Sequence, residues 1–271
     1  MTSDNKFSES ISLVYQNYMV PLIFESYAVD LAKRVSLQLP KSILEIAAGT
    51  GVVTKQMALR LLPEAHLIVT DLNQPMLDLA QQNIHDNRII WQQCDALSLP
   101  FEDQKFDAVV CQFGAMFFPD HIRAYKETHR VLNPNGRIYF NVWDKISENH
   151  FTQEVEQALE KYFPNDPPKF MSRTPQGYFD VVKIRHELVA AGFSKIEIET
   201  LTHASKAPSP HFIATAFCTG TILRSEIESR APSSLQRVTS YITDALTKRF
   251  GTGPIEGKIQ ALVISAIKLP T

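Results

Sequence analysis

Two hydrophobic periodicities alternate along the middle of the chain. Short apolar runs of strand length are each followed by a segment whose apolar residues lie three or four positions apart, the spacing of an amphipathic helix. The predicted strands are Ser42–Ile46, Ala65–Thr70, Arg88–Cys94, Phe106–Phe113 and Arg137–Val142. Because parallel strands need crossover helices on both faces, these repeats predict a doubly wound, mostly parallel α/β sheet.

The segments on either side of these repeats predict helices and two more strands. Apolar spacing from Tyr15 to Val35 is interrupted by Pro21, which predicts two short helices that meet there. The later strand candidates are Lys195–Leu201 and Gln260–Leu269. Roughly 50 residues with helical spacing separate them, too many for a hairpin loop, so we expect a helical insertion at about residues 203–257.

The chain contains no internal repeat, low-complexity tract or linker-like run, which favours a single domain over residues 1–271. Within it we expect an amino-terminal helical cap at 1–38, a ligand-binding core at 39–145 and a carboxyl-terminal part at 146–271 that carries the insertion.

Composition disfavours several classes of function. The net charge of -2 and a pI near 6.5, with acids and bases interspersed, argue against a nucleic-acid partner. The cysteines lie far apart without metal-ligand spacing, so we expect no metal site and a reducing, cytoplasmic location. Residues 1–10 lack the features of a signal peptide, and no apolar run approaches the ~20 residues that span a bilayer.

The first strand-to-helix turn contains the most informative motif, Leu44–Gly51. Gly49 and Gly51 would let the backbone approach a ligand, and the following helix offers free N–H groups. A dinucleotide fingerprint would have its third glycine at the position of Thr54. An NAD or flavin dinucleotide is therefore disfavoured.

Two acidic residues follow the second and third strands. Asp71 is placed to accept hydrogen bonds from both hydroxyls of a ribose. Asp95 could accept from an adenine amino group while the Ala96 N–H donates to the ring. A surface or capping role remains open for each aspartate, but ligands of open α/β sheets bind at these strand ends, so the set favours an adenosine ligand.

This ordered set resembles the class I S-adenosylmethionine (SAM)-dependent methyltransferases, in particular the group that includes the ubiquinone and menaquinone biosynthesis enzymes. The resemblance is concentrated in residues 44–140. The segments that carry it are Leu44–Gly51, Val69–Leu77, Cys94–Phe101, Phe106–Gly114 and Arg130–Gly136. Ala47 and Asn135 replace glycines of the common pattern, and neither change threatens SAM binding.

The resemblance implies a seven-stranded sheet with an antiparallel last strand. It also implies that Glu45 orients the SAM amino group, Asp71 holds the ribose, and Leu72 and Met76 lie against adenine. Gln112 and Phe113 would line the methyl-transfer end, and Tyr18 could close over SAM or simply pack between helices. The residues expected around SAM are Glu45, Ala47, Gly49, Thr50, Gly51, Asp71, Leu72, Met76, Asp95, Ala96, Gln112, Phe113 and Tyr18.

Methyl transfer from a sulfonium is an in-line displacement that needs positioning and a dry pocket, and a base only for a protonated acceptor. The catalytic residues stay unassigned, although His121, His150, His203 and His211 are candidates for such a base. The expected reaction methylates a small molecule and releases S-adenosylhomocysteine. The alternatives are a SAM-binding module without turnover, an NAD-dependent oxidoreductase and a methyltransferase for macromolecules. Acceptor and oligomeric state stay open.

Overall fold

All seven strands join one sheet in the order β3-β2-β1-β4-β5-β7-β6. The computed structural model describes residues 9–270. The strands are β1 (Ser42–Glu45), β2 (His66–Asp71), β3 (Ile89–Gln93), β4 (Phe106–Gln112), β5 (Leu132–Trp143), β6 (Ser194–Ala207) and β7 (Ile255–Ile267). This order confirms the predicted doubly wound fold.

Strands β1 to β5 pair in parallel. Strand β7 runs antiparallel to β5, because Lys268 exchanges hydrogen bonds with the Asn135–Gly136 turn while Asp144 N–H donates to Gln260, at the opposite end of the pair. The parallel order brings the carboxyl ends of β1, β2, β3 and β4 to one edge of the sheet.

Helices fill the connections between strands. They are α1 (Glu9–Val14), a π-helix (Tyr15–Phe24), α2 (Glu25–Ser36), α3 (Val52–Ala58), α4 (Gln74–Asn83), α5 (His121–Val131), α6 (His150–Tyr162), α7 (Phe170–Arg173), α8 (Val181–Ala190), α9 (Pro210–Thr219), α10 (Leu223–Arg230) and α11 (Leu235–Phe250). No helix among residues 9–270 is long and apolar enough to span a bilayer.

The chain folds into two compact units, each built from separate stretches of sequence. The sheet unit contains Ser26–Val142, Tyr178–Leu201 and the residues from Leu262 onward. The helical unit contains the described residues up to Glu25, Trp143–Gly177 and Thr202–Ala261. The expectation of a single domain remains a prediction.

The sheet unit has apolar layers on both faces of its strands. On one face, residues of α2, α3 and α4 surround inward side chains of the strands, including Ile43, Val110 and Tyr139. Because successive side chains of a strand point to opposite faces, Phe140 lies on the other face, where its ring is 5.5 Å from that of Tyr125 in α5. Burial on both faces explains why these strands read as continuous apolar runs.

The prediction of two helices meeting at Pro21 is wrong. Pro21 lies inside the π-helix, and the chain remains helical into α2, with Glu25 N–H donating to Val20 C=O. A proline ring clashes with the carbonyl four residues earlier in an α-helix, and the wider π-turn relieves that clash.

The late insertion is helical as expected, but its limits are narrower. Strand β6 extends to Ala207 and β7 begins at Ile255, so the three helices α9 to α11 occupy Pro210–Phe250. The polar alternation of β6 hides its length in the sequence, because exposed positions such as Thr202 alternate with half-buried ones. Residues 1–8 of the polar amino terminus, where a signal peptide was not expected, lie outside the described residues.

Arg130 in α5 clamps the connection between β3 and β4. Its guanidinium donates to the carbonyl oxygens of Leu99 and Phe101 at 2.9 and 2.7 Å and pairs with Asp103 and Glu127 at 2.8 Å each. These bonds satisfy backbone carbonyl oxygens in the loop that joins β3 to β4.

We expect Arg130→Ala to lower the free energy of unfolding by about 2–3 kcal/mol, because two backbone acceptors lose a charged donor. Urea unfolding followed by circular dichroism measures it. Lys126→Ala, at an exposed position of the same helix, is the control and should change stability by less than about 0.5 kcal/mol. Equal free energies of unfolding for the two variants would contradict a stabilising role for the Arg130 hydrogen bonds.

Candidate functional site

The first crossover, between β1 and α3, is held in an unusual backbone conformation. Ala47, Gly49 and Gly51 have φ angles of 54°, 58° and 81°. The left-handed region favours glycine, so the alternating left-handed positions explain why glycine is common at the position of Ala47. This conformation turns the backbone of the crossover toward the edge of the sheet.

Gly49 and Gly51 serve different purposes. A Cβ added to Gly51 would lie 2.7 Å from Ile84 Cδ1 and 3.2 Å from Ala80 Cβ, so this glycine permits close packing against α4. A Cβ added to Gly49 would meet no protein atom within 4 Å. The space above Gly49 is therefore available to a ligand.

Asp71, the last residue of β2, joins its own loop to the first crossover. Its carboxylate accepts hydrogen bonds from Gly49 N–H and Asn73 N–H, each at 2.8 Å. Asn73 occupies the N-cap position of α4, but its side chain donates to Asp71 at 3.3 Å and does not cap the helix. Asp71 is 7% exposed, so little water competes for its oxygens.

Asp95 begins the loop after β3. Its carboxylate accepts from Leu97 N–H at 2.9 Å, and the neighbouring Cys94 N–H donates to Asp71 C=O at 3.1 Å. Asp95 itself is exposed, whereas Ala96 is buried. The structure therefore brings Gly49, Asp71 and Asp95 to adjacent strand ends on one edge.

Glu45, the last residue of β1, is buried at 1% exposure. Thr54 Oγ1 donates to its carboxylate at 2.6 Å. Burial raises the pKa of Glu45 to about 8, against the lowering effect of the Thr54 hydrogen bonds, and the nearby Asp71 charge adds to the rise. Thr54 therefore stands where a dinucleotide fingerprint has its third glycine, and its hydroxyl group is a hydrogen-bond partner for Glu45.

The surroundings of Glu45 and Asp71 favour a cationic or hydrogen-bond-donating ligand. Burial also raises the pKa of Asp71, although its backbone donors oppose the shift. Thr50 is buried, and its Oγ1 has no hydrogen-bond partner among residues 9–270. Buried polar atoms are nearly always paired, so Thr50 Oγ1 is a candidate contact for a bound ligand.

The end of β4 packs against the first crossover. A Cβ on Gly114 would lie 2.4 Å from Ala47 Cβ, so only glycine fits there. Phe113 has a φ of 51°, and its N–H donates to both the backbone and side-chain oxygens of Asn141 at 3.1 Å. Gln112 precedes this bend and is half-buried.

Asn141 is a site residue that the sequence reasoning missed. It is completely buried at the end of β5, and its Nδ2 has no partner among the described residues. Its only signal in the sequence is a polar residue inside the apolar run of β5.

The remaining predicted residues lie in different surroundings. Met76 is buried in α4 and Leu72 is half-buried just after β2. Tyr18 belongs to the helical unit, where its ring lies 4.7 Å from that of Phe212. Its predicted contact with SAM remains a prediction. Within residues 9–270, no group of three or more His, Cys, Asp or Glu side chains is arranged to hold a metal ion.

Comparison with known proteins identifies relatives of this site. Residues 44–140 match the family model described as a methyltransferase domain. The demethylmenaquinone methyltransferase of Lactobacillus johnsonii is 30% identical over 182 residues, which cover 62% of this chain and 74% of that protein. The ubiquinone/menaquinone biosynthesis C-methyltransferase of Idiomarina loihiensis is 25% identical over 193 residues, 66% of this chain and 76% of that protein.

A solved structure has the same fold. The phosphoethanolamine N-methyltransferase 2 of Haemonchus contortus, in complex with phosphomonomethylethanolamine and S-adenosylhomocysteine, aligns with a TM-score of 0.62 at 17% identity. The alignment covers 97% of this chain and 59% of that one. At this identity the likeness shows the fold alone.

The raised pKa of Glu45 makes the stability of the ligand-free protein depend on pH. In the unfolded chain the carboxyl ionises near pH 4.5, whereas in the fold it holds its proton to about pH 8. We therefore expect the contribution of Glu45 to the free energy of unfolding to be greatest below pH 4.5. That contribution should fall by on the order of 3–5 kcal/mol as the pH rises to 8.

Urea unfolding between pH 5 and 8 tests this slope. Glu45→Gln, which can still accept from Thr54, should flatten it, whereas Glu102→Gln at an exposed position should not. A slope that Glu45→Gln leaves unchanged would show that Glu45 is ionised in the fold.

Proposed function

Because the chain belongs to the class I SAM-dependent methyltransferases, in the group related to the ubiquinone and menaquinone biosynthesis enzymes, we propose that its small-molecule acceptor is a hydroquinone ring. The enzyme transfers a methyl group from SAM, its cofactor, to a small molecule. The proposal concerns the chemical class of that molecule and the residues that bind both substrates.

The observation that carries the proposal is the length of the similarity to relatives named for quinones. The alignment with the Lactobacillus johnsonii protein spans 182 residues and so extends beyond residues 44–140, the part that matches the methyltransferase domain model. A cofactor site alone explains similarity in the domain. Similarity outside it favours a related acceptor.

The first crossover fits the cofactor. Bound SAM supplies a methyl group on a positively charged sulfur and leaves as S-adenosylhomocysteine. The open space above Gly49 admits the methionine part beside the backbone of Ala47 and Gly51, and the unpartnered Thr50 Oγ1 would bond to its polar atoms. Glu45 would orient the amino group, directly or through water, since an ammonium favours the ionised carboxylate.

The next two loops fit the nucleoside. Asp71 Oδ2 accepts from Gly49 N–H and would also accept from a ribose hydroxyl, whereas a hydroxyl at Oδ1 would take the place of the Asn73 side chain, which donates there beside the Asn73 N–H. Leu72 and Met76 would pack on adenine, while Asp95 accepts from its amino group and Ala96 N–H donates to the ring. Gln112 and Phe113 would line the methyl-transfer end, and Tyr18 would cover the cofactor.

A hydroquinone suits methyl transfer to carbon or oxygen. Loss of one hydroxyl proton makes the oxygen and the adjacent ring carbon nucleophilic, and the acceptor then displaces the thioether in line. If carbon attacks, the ring C–H proton is lost afterwards and the hydroxyl is restored. Either route releases one proton overall.

The location and partners of the protein stay predictions. Cys94, Cys111 and Cys218 are free thiols, consistent with the reducing conditions of the cytoplasm. We expect no nucleic-acid partner.

Substituting Gly49 separates cofactor binding from folding. In Gly49→Ala the added methyl group meets no protein atom but occupies the space proposed for SAM, so we expect affinity to fall at least about tenfold, the equivalent of ~1.4 kcal/mol. Calorimetric titration with SAM measures the loss. Gly251→Ala is the matched control, because it also has a positive φ and open surroundings but lies in the helical unit. Equal affinities would contradict the placement of SAM.

The acceptor is tested with isotopically labelled SAM. We expect label to enter a prenylated naphthohydroquinone that has an unsubstituted ring carbon, as detected by mass spectrometry. The oxidised naphthoquinone is the control, because it has no hydroxyl to ionise. Labelling of phosphoethanolamine in place of the hydroquinone would exclude the proposed acceptor, and SAM binding without any labelled product would favour a module without turnover.

A further inference from the structure

Three buried polar side chains and a half-buried histidine form a cluster in the sheet unit, outside the proposed cofactor site. His121 begins α5, and its ring stacks on Tyr178 with centroids 3.9 Å apart and planes inclined by 6°. The Tyr178 hydroxyl donates to Glu187 and lies 3.2 Å from that of Tyr125. Tyr125, Tyr178 and Glu187 are at most 9% exposed.

The two nitrogens of the His121 ring have different surroundings. Nδ1 lies 3.8 Å from Glu187 Oε2, whereas Nε2 is buried and has no hydrogen-bond partner among residues 9–270. A carboxylate beside Nδ1 favours the tautomer that has its proton on Nδ1 and a free lone pair on Nε2. Most buried polar side-chain atoms have a hydrogen-bond partner, so the Nε2 lone pair is available to a ligand.

The cluster also lies next to the residues that follow β4. Gly114 contacts Ala47 of the first crossover, and the next residue, Ala115, has its backbone beside the His121 ring. The ring therefore lies beside a residue that is two positions beyond Phe113, which is proposed to line the methyl-transfer end. His150, His203 and His211, the other candidate bases, lie in the helical unit.

We propose that His121 is the general base that removes the hydroxyl proton of the acceptor through Nε2, with Glu187 and Tyr178 as positioning residues. The O–H proton moves to Nε2, the acceptor forms its bond to the methyl carbon, and the bond between that carbon and sulfur breaks to give a neutral thioether. The imidazolium faces Glu187 and later releases its proton to solvent. The inference rests on the proposed hydroquinone acceptor for the identity of the proton donor.

Burial and the charges around the ring act in opposite directions on its pKa. Burial lowers the pKa of His121, while Glu187 and Asp120 favour the protonated ring and Lys183 opposes it. Lys183 Nζ also lies 3.9 Å from Glu187 Oε1. Burial and the carboxylate raise the pKa of Tyr178, so its hydroxyl stays protonated and keeps donating to Glu187.

The principal test compares His121→Gln with His129→Gln, a histidine of the same helix that packs on Phe193. With the prenylated naphthohydroquinone, kcat of the wild type should fall tenfold per unit as pH drops below the pKa of His121. His121→Gln should lose about 10²- to 10⁴-fold in kcat at pH 7. The deficit should narrow toward pH 10, where a phenolic hydroxyl ionises unaided. SAM affinity and the His129→Gln profile should match the wild type.

A second variant checks the role of the positioning residues, and a spectroscopic measurement tests His121 without any acceptor. Tyr178→Phe keeps the stacked ring but not the hydroxyl, so the acidic limb of its pH profile should shift while its SAM affinity stays that of the wild type. Nitrogen chemical shifts of His121 should report a proton on Nδ1 alone at pH 8.

The outcomes distinguish this inference from the proposed acceptor. An unchanged rate and pH profile in His121→Gln would overturn the assignment of His121 as the base, but would not affect the proposed hydroquinone acceptor. If the wild type methylates no hydroquinone, the acceptor fails, and the nitrogen shifts decide about His121. A proton on Nε2 at pH 8 overturns the proposal, and a free Nε2 lone pair supports it.

Discussion

The bond between Gly49 N–H and the Asp71 carboxylate is the constraint on which the site depends. It joins the loop after β2 to the left-handed turn after β1, and Cys94 N–H extends the link from Asp71 to the loop after β3. Parallel strand order brings these loops to one edge, and this bonding fixes their spacing together with the Ala48 N–H, which donates to Thr70 C=O. Because the same carboxylate is proposed to bind ribose, the residue that shapes the turn also faces the ligand.

Burying two acids at this edge costs stability that a ligand can restore. Glu45 and Asp71 both have raised pKa values, mainly through burial, and the Thr54 and backbone hydrogen bonds offset only part of that effect. In the proposed mode of binding, the ammonium and the ribose hydroxyls of SAM supply further partners. The empty protein thus keeps its acids protonated more readily, and binding should favour their ionised forms.

The residues proposed to remove the acceptor proton lie outside the loops proposed to bind the cofactor. The proposed SAM site uses the loops after β1, β2 and β3, whereas His121 comes from α5, Glu187 from α8 and Tyr178 from the segment just before α8, all in the same unit. Methyl transfer itself needs no protein acid, so this family can bind one cofactor and vary the residues beyond β4 to suit each acceptor. This separation explains why fold likeness at 17% identity identifies no substrate.

The sequence by itself determined that the sheet is doubly wound and mostly parallel, and that Glu45, Gly49, Asp71 and Asp95 lie at or just after strand ends. Local periodicity and glycine chemistry suffice for these features. The π-helix through Pro21, Asn141 beneath Phe113 and the stacking of His121 on Tyr178 were decided only by the tertiary structure. The reason is physical: His121 and Glu187 are 66 residues apart in the chain, and their contact arises from helix packing that no local pattern encodes.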